Sequence, residues 1–150
     1  MHVRVVAEGG VGQALDSDER DISTPDFTPV RPSFATPLVY RARTAGELER
    51  ISTSGTALPT AARQFSRNDQ ILLRVRVYGP GGTTPTITAR LLNTQGDRVS
   101  DLTVPQARGD GSFDMRVMPA ALARGTYLIE IDAAFGEESS RVVWGFTIAK

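Results

Sequence analysis

The chain has 150 residues, 17 basic and 17 acidic side chains, and no cysteine. That balance leaves no global field to attract nucleic acid or an acidic membrane, and the missing thiols exclude thiolate catalysis and cysteine-ligated metal. A domain of this length typically buries about 68–70% of its unfolded surface, so a single sandwich needs no disulfide staple.

The opening Met1-His-Val-Arg-Val-Val-Ala-Glu8 lacks the apolar core and cleavage site of a signal peptide. No stretch approaches the ~20 apolar residues of a membrane span, so direct membrane insertion is not expected, and an export signal would lie upstream. Val3, Val5 and Ala7, a glycine-rich turn at residues 9–12 and a polar strand over residues 15–23 predict a hairpin. It loosely matches Leu128-Ile-Glu-Ile-Asp-Ala133, as it would if it ended a preceding sandwich domain. Asp16 and Asp18 share a face with room for a cation between them, but the glycine and terminal glutamate of an EF-hand are missing. A solvated strand partly neutralised by Arg20 is the preferred reading. The only histidine, His2, sits near a chain end and is no base for a serine triad. Thr24-Pro-Asp-Phe-Thr-Pro-Val-Arg-Pro32 reads as a stiff interdomain linker.

Leu38-Val-Tyr-Arg-Ala-Arg43 predicts a strand. Thr44-Ala-Gly-Glu47 then has the spacing of a capping box, with Leu48 and Ile51 as the apolar face of a helix of one or two turns. Residues 57–68 read as an edge strand, where Pro59 is tolerable. From Gln70 the period is two: Ile71, Leu73, Val75 and Val77 point inward, and Leu72, Arg74, Arg76 and Tyr78 form a largely solvated face. Gly79-Pro-Gly-Gly82 is a turn, without the lysine and hydroxyl residue of a phosphate-binding loop.

Ile87, Ala89 and Leu91 mark the next strand, and Asn93-Thr-Gln-Gly96 turns into residues 99–104. There the switch of parity between Val99 and Leu102 predicts a bulge. Arg108-Gly-Asp-Gly111 is a turn before the strand of Phe113, Met115 and Val117. Its Arg-Gly-Asp spells an adhesion tripeptide, and Asp110 with Asp114 would offer oxygens to calcium, yet turn chemistry accounts for both. Pro119-Ala-Ala-Leu-Ala-Arg124 predicts one helical turn ended by Gly125. Leu122, Gly125 and Tyr127 have the spacing of a tyrosine corner, in which the phenol ties the strand entrance to nearby backbone. Tyr127, Ile129, Ile131 and Ala133 then pair with Val142, Trp144, Phe146 and Ile148 in the strongest hairpin of the chain, Trp144 being the core tryptophan.

The elements predict an all-β chain: an immunoglobulin-like or fibronectin III-like antiparallel β-sandwich over residues 27–150, an additional N-terminal hairpin over residues 1–26, and one short helix. No acid, base and nucleophile constellation, metal ligand set or cofactor motif is found, so no enzymatic role is expected. The candidate surface contacts are Tyr78, Tyr40, Arg74 and Arg76. The leading reading is a non-catalytic spacer or protein-interaction module, contacting a protein partner or a second copy through exposed strand edges. A carbohydrate-binding module is the alternative and requires exposed, coplanar rings around Tyr78 or Tyr40. Nucleic acid is not an expected partner.

Several phrases in order, Thr24-Pro-Asp-Phe27, Leu38-Val-Tyr-Arg-Ala-Arg-Thr44, Leu58-Pro-Thr-Ala-Ala-Arg-Gln-Phe65, Leu72-Leu-Arg-Val-Arg-Val-Tyr-Gly79, Thr88-Ala-Arg-Leu-Leu-Asn93 and Gly125-Thr-Tyr-Leu-Ile-Glu130, span most of the chain. Together they resemble the C-terminal region of the von Willebrand factor A (VWFA)-related proteins of acidobacterial type. The resemblance implies a large exported or envelope protein with this segment as a C-terminal sandwich. The metal-binding Asp-x-Ser-x-Ser signature of the A domain has no match, since Pro25 stands where Asp21-Ile-Ser23 would need its second serine. No metal or adhesion residue therefore carries over.

Overall fold

The computed structural model describes residues 2–10, 13–23 and 31–149. Strands β1 (His2–Glu8) and β2 (Ala14–Asp21) form a two-stranded antiparallel ribbon that extends no further among the described residues. The register sets Val3 opposite Arg20, Val5 opposite Asp18 and Ala7 opposite Asp16. Opposed residues share a face, so one face mixes small apolar groups with acids. The other sets His2 against Asp21 at 2.9 Å and Arg4 against Glu19 at 3.2 Å. Neither face is apolar on both strands. Most of the expected linker, residues 24–30, lies outside the described residues. Its last residue, Pro32, belongs to the sandwich: it is buried, and its carbonyl accepts a 2.5 Å hydrogen bond from Ser140 Oγ.

The sandwich has two sheets. In the smaller, β6 (Gln70–Tyr78) pairs antiparallel with β3 (Ser33–Phe34), β4 (Leu38–Ala42) and β9 (Ser112–Val117). The larger runs β5 (Gln64–Phe65), β11 (Glu138–Ile148), β10 (Gly125–Phe135), β7 (Thr86–Leu92) and β8 (Arg98–Leu102), with every pairing antiparallel except that of β5 with β11. Side chains alternate along each strand, so Ile71, Leu73 and Val75 meet Ile129, Ile131 and Phe146 across one buried core. Trp144 lies within it at 4% exposure, stacked 5.3 Å from Phe146 and edge-on to Phe65 at 6.2 Å.

The outer face of β6 departs from the expected solvated face at Leu72 and Arg74. Helix α1 (Ala45–Thr53) lies over it, and Leu48 closes a second apolar cluster with Leu72, Tyr40 and Ala42. The capping box forms in part: Thr44 Oγ1 accepts from the Glu47 amide at 3.1 Å, while Glu47 Oε2 reaches one residue past the cap and accepts from the Arg43 amide at 2.8 Å. Only Gln64 and Phe65 of residues 57–68 are strand; further back, the Thr60 amide donates to the Val39 carbonyl at 2.7 Å. The bulge falls at Val99, since Leu91 pairs with Ser100 and Leu92 with Arg98. The expected helical turn after β9 shortens to a 3₁₀ turn over Pro119–Ala121. Tyr127 Oη then donates to the Ala123 carbonyl at 3.0 Å, closing the corner beside Gly125. Gly125 has φ 146°, a conformation other residues avoid.

Candidate functional site

Side chains of β6 repeat on one face at every second residue, which places Leu72, Arg74, Arg76 and Tyr78 in a row on the outer face of the smaller sheet. Leu72 is sealed under α1. Past the end of the helix the same face opens into a groove of about 450 Å³, lined by Leu38, Tyr40, Arg74, Arg76, Tyr78 and Arg108, with Asp110 and Ser112 beside them. All four residues singled out from the sequence therefore line one groove. They do not play one part in it.

Tyr40 is 4% exposed and the Arg74 side chain 11%, so both lie beneath the surface expected for them. Two other elements bury them. Helix α1 covers Tyr40, and β9 supplies Asp114, which grips Arg74 in a two-pronged pair with Nε–Oδ1 at 2.7 Å and Nη2–Oδ2 at 2.9 Å. Arg74 Nη2 also approaches the carbonyls of Ile51 and Ser52 at 3.3 and 3.4 Å, and its guanidinium carbon lies 5.2 Å from the centre of the Tyr40 ring. Arg108 Nη1 donates to Asp114 Oδ2 at 3.0 Å and to the Ser52 carbonyl. Arg116 reaches Glu49 and Ser52 Oγ, each at 3.3 Å. Three guanidinium groups thus gather at the C-terminal end of α1, where the helix dipole favours positive charge. The bond to Asp114 outweighs the lowering effect of burial and holds the Arg74 guanidinium above its usual pKa.

The outer part of the groove is accessible. Tyr78 is 47% and Leu38 42% exposed, and the Arg76 side chain 44%. Arg76 hydrogen-bonds Tyr78 and donates through Nη2 to Asp110 Oδ2 at 3.0 Å, and these contacts raise its pKa. Asp110 Oδ1 accepts from Ser112 Oγ at 2.6 Å and from the Ser112 amide at 3.0 Å. Those two bonds, then Arg76, pull its carboxyl from 3.8 down to about 2. A serine hydroxyl against a carboxylate looks like a nucleophile with its base, but so acidic a group takes a proton poorly at neutral pH.

The other sequence candidates resolve into local chemistry. In the Arg-Gly-Asp turn, Arg108 faces Asp114 and the Ser52 carbonyl while Asp110 faces Arg76 and Ser112, so the tripeptide is part of the groove wall, with its charged ends already engaged. Asp114 is held by arginines and not set apart for calcium. Asp16 and Asp18 do share a face, and Asp18 accepts from Arg20 Nε at 2.8 Å. Among the described residues no group of three acidic, histidine or cysteine side chains is placed to hold a metal, and no helix is long and apolar enough to cross a membrane. Sequence reasoning missed Asp114 as the partner of Arg74 and Arg108 as a second arginine on that carboxylate. The alternation of β9 did place Asp114 on its outer face, but which face α1 would cover was not encoded there.

No protein-family model and no curated protein matches the chain. Among solved structures, CopC from Methylosinus trichosporium OB3b is similar with a TM-score of 0.39 at 14% identity, over 59% of this chain and 84% of that one. A likeness at that level transfers no role.

Proposed function

We propose that this chain is a non-catalytic, immunoglobulin-like β-sandwich module of an exported bacterial protein that works through protein–protein contact. The observation that carries the reading is the ribbon of β1 and β2, which leaves Val5 63% and Leu15 69% exposed, with Val6 and Ile22 also exposed. A lone two-stranded ribbon is at best marginally stable in water, and its outer backbone groups are a template for another strand. The immunoglobulin-like assignment is supported by the tyrosine corner and by the order of the larger sheet. Export, and kinship with VWFA-related proteins, are supported by the sequence phrases alone. The carbohydrate reading is weakened by the burial of Tyr40, which leaves Tyr78 without the second exposed ring of a stacking platform.

The test is light scattering coupled to size exclusion, on the full chain and on one that begins at Phe27. Both buried clusters lie within residues 39–148, so the shorter chain retains its core. Full-length assembly that is lost on truncation supports contact through the ribbon. Monomers in both cases, with the ribbon amides fully protected, remove the observation on which the reading stands.

A further inference from the structure

The zero net charge conceals a segregation. Residues 1–23 carry two arginines against five carboxylates, and residues 24–150 carry fifteen basic against twelve acidic side chains, with histidine counted neutral. The ribbon and the rest of the chain thus bear opposite charges of equal size. Most of the acid is on β2, where Asp16, Asp18, Glu19 and Asp21 are all exposed. Glu19 and Asp21 are matched on one face by Arg4 and His2. Asp16 and Asp18 occupy the other beside Val5, with Arg20 as an exposed partner of Asp18 that is readily exchanged.

The groove on the smaller sheet carries the opposite sign, Arg74, Arg76 and Arg108 outnumbering Asp110 and Asp114, and its Arg76–Asp110 pair, with side chains 44% and 48% exposed, is as readily exchanged as that of Arg20 with Asp18. Its accessible part sets the guanidinium of Arg76 beside the apolar bodies of Tyr78 and Leu38, with Arg108 behind, a composition typical of residues that dominate protein interfaces. Arg76 and Tyr78 are two residues apart on β6, as Asp16 and Asp18 are on β2, so both rows repeat at the spacing of about 6.8 Å set by strand geometry. Asp18 with Val5 opposite it on the ribbon sets acid beside apolar surface, as Arg76 with Tyr78 and Leu38 sets guanidinium beside it in the groove.

We propose that the Val5, Asp16 and Asp18 face of the ribbon docks into the Arg76 and Arg108 groove of a second copy of this chain, each copy presenting its ribbon to the other about a two-fold axis. The proposal rests on the interaction-module reading and names the partner. A closed two-fold pair contains the same contact twice, which satisfies both ribbons and both grooves at once.

Sedimentation of the full chain and of two full-length variants, Asp18→Arg and Arg76→Glu, tests it. Both positions lie outside the buried clusters, and far-ultraviolet circular dichroism spectra that match the wild type establish that each variant folds. The wild-type chain dimerises, and each variant dimerises roughly a hundredfold more weakly, about tenfold for each of the two equivalent contacts. An equimolar mixture of the variants restores the wild-type dissociation constant, because the reversed ribbon of one meets the reversed groove of the other. Variants that dimerise like wild type, or a mixture no tighter than its components, overturn the proposal. A wild-type chain that stays monomeric overturns it too. If the ribbon of that monomer gains amide protection on addition of a defined different protein, the module reading survives without self-docking; a double variant that stays monomeric with its own ribbon protected shows docking within one chain and also overturns it.

Discussion

Replacing Asp114 by alanine is the most informative perturbation of the groove floor. The carboxylate receives three hydrogen bonds, two from Arg74 at 2.7 and 2.9 Å and one from Arg108 at 3.0 Å, and its side chain is only 10% exposed. Without it Arg74, 11% exposed, keeps only the long contacts to Ile51 and Ser52. Removing one partner of a buried pair costs about 3–5 kcal/mol, because the other charge is left uncompensated. At about 2–4 °C per kcal/mol for a domain of this size, the melting temperature falls by roughly 6–20 °C. Urea unfolding followed by far-ultraviolet circular dichroism gives the free energy directly. Arg116→Ala is the control, since its pair with Glu49 has side chains 52% and 65% exposed and contributes about 0–1 kcal/mol. The joint replacement Arg74→Met with Asp114→Leu should recover most of the loss, as apolar residues of similar volume often replace a buried pair at little cost. A loss below about 1 kcal/mol for Asp114→Ala would refute the reasoning, since it would mean that water reaches Arg74 and the cluster behaves as a surface pair.

Tyr127→Phe deletes the bond to the Ala123 carbonyl while keeping the ring stacked 5.8 Å from Phe146, and is expected to cost about 0.5–1.5 kcal/mol in the same denaturation assay. Leu48→Ala opens the cluster beneath α1 and should cost about 2–5 kcal/mol, with loss of amide protection concentrated in the helix. Asp110 titrates near 2 in the folded chain against 3.8 in the reference state, so its stabilising effect is complete above pH 3.8 and is lost as pH falls toward 2. In Asp110→Asn that part of the acid dependence is absent, which a pH series of thermal melts detects. Gly125→Ala places a side chain at φ 146° and should lower stability by about 1–3 kcal/mol although nothing crowds the added carbon.

Alternation makes most of the sandwich legible in the sequence. Ile71, Leu73 and Val75, and later Ile129 with Trp144, are inside because period two allows only one inner face, and the parity switch near Val99 marked its own bulge. Leu72 and Tyr40 were misplaced because alternation assigns a residue to a face without saying what covers that face. The helix that does so was itself predictable from Thr44 and Glu47, but its seat over β6 depends on packing between residues far apart in the chain. The same limit applies to the groove: Arg74 and Arg76 look equivalent in sequence, yet one meets Asp114 under α1 and the other meets Asp110 at the rim. On the ribbon, the polarity of β2 was visible, but the register that puts Asp18 opposite Val5 was not.

The parallel pairing of β5 with β11 has a mechanical consequence. The chain enters β5 at one end and leaves β11 at the opposite end, so pulling those two points apart slides the strands along each other. The bonds from the Thr147 amide to the Arg63 carbonyl at 2.7 Å and from the Ala149 amide to the Phe65 carbonyl at 2.8 Å then carry the load simultaneously, and neither peels ahead of the other. Under tension along the chain this short joint resists far better than its two paired residues suggest, while a force applied across the strands opens it one bond at a time.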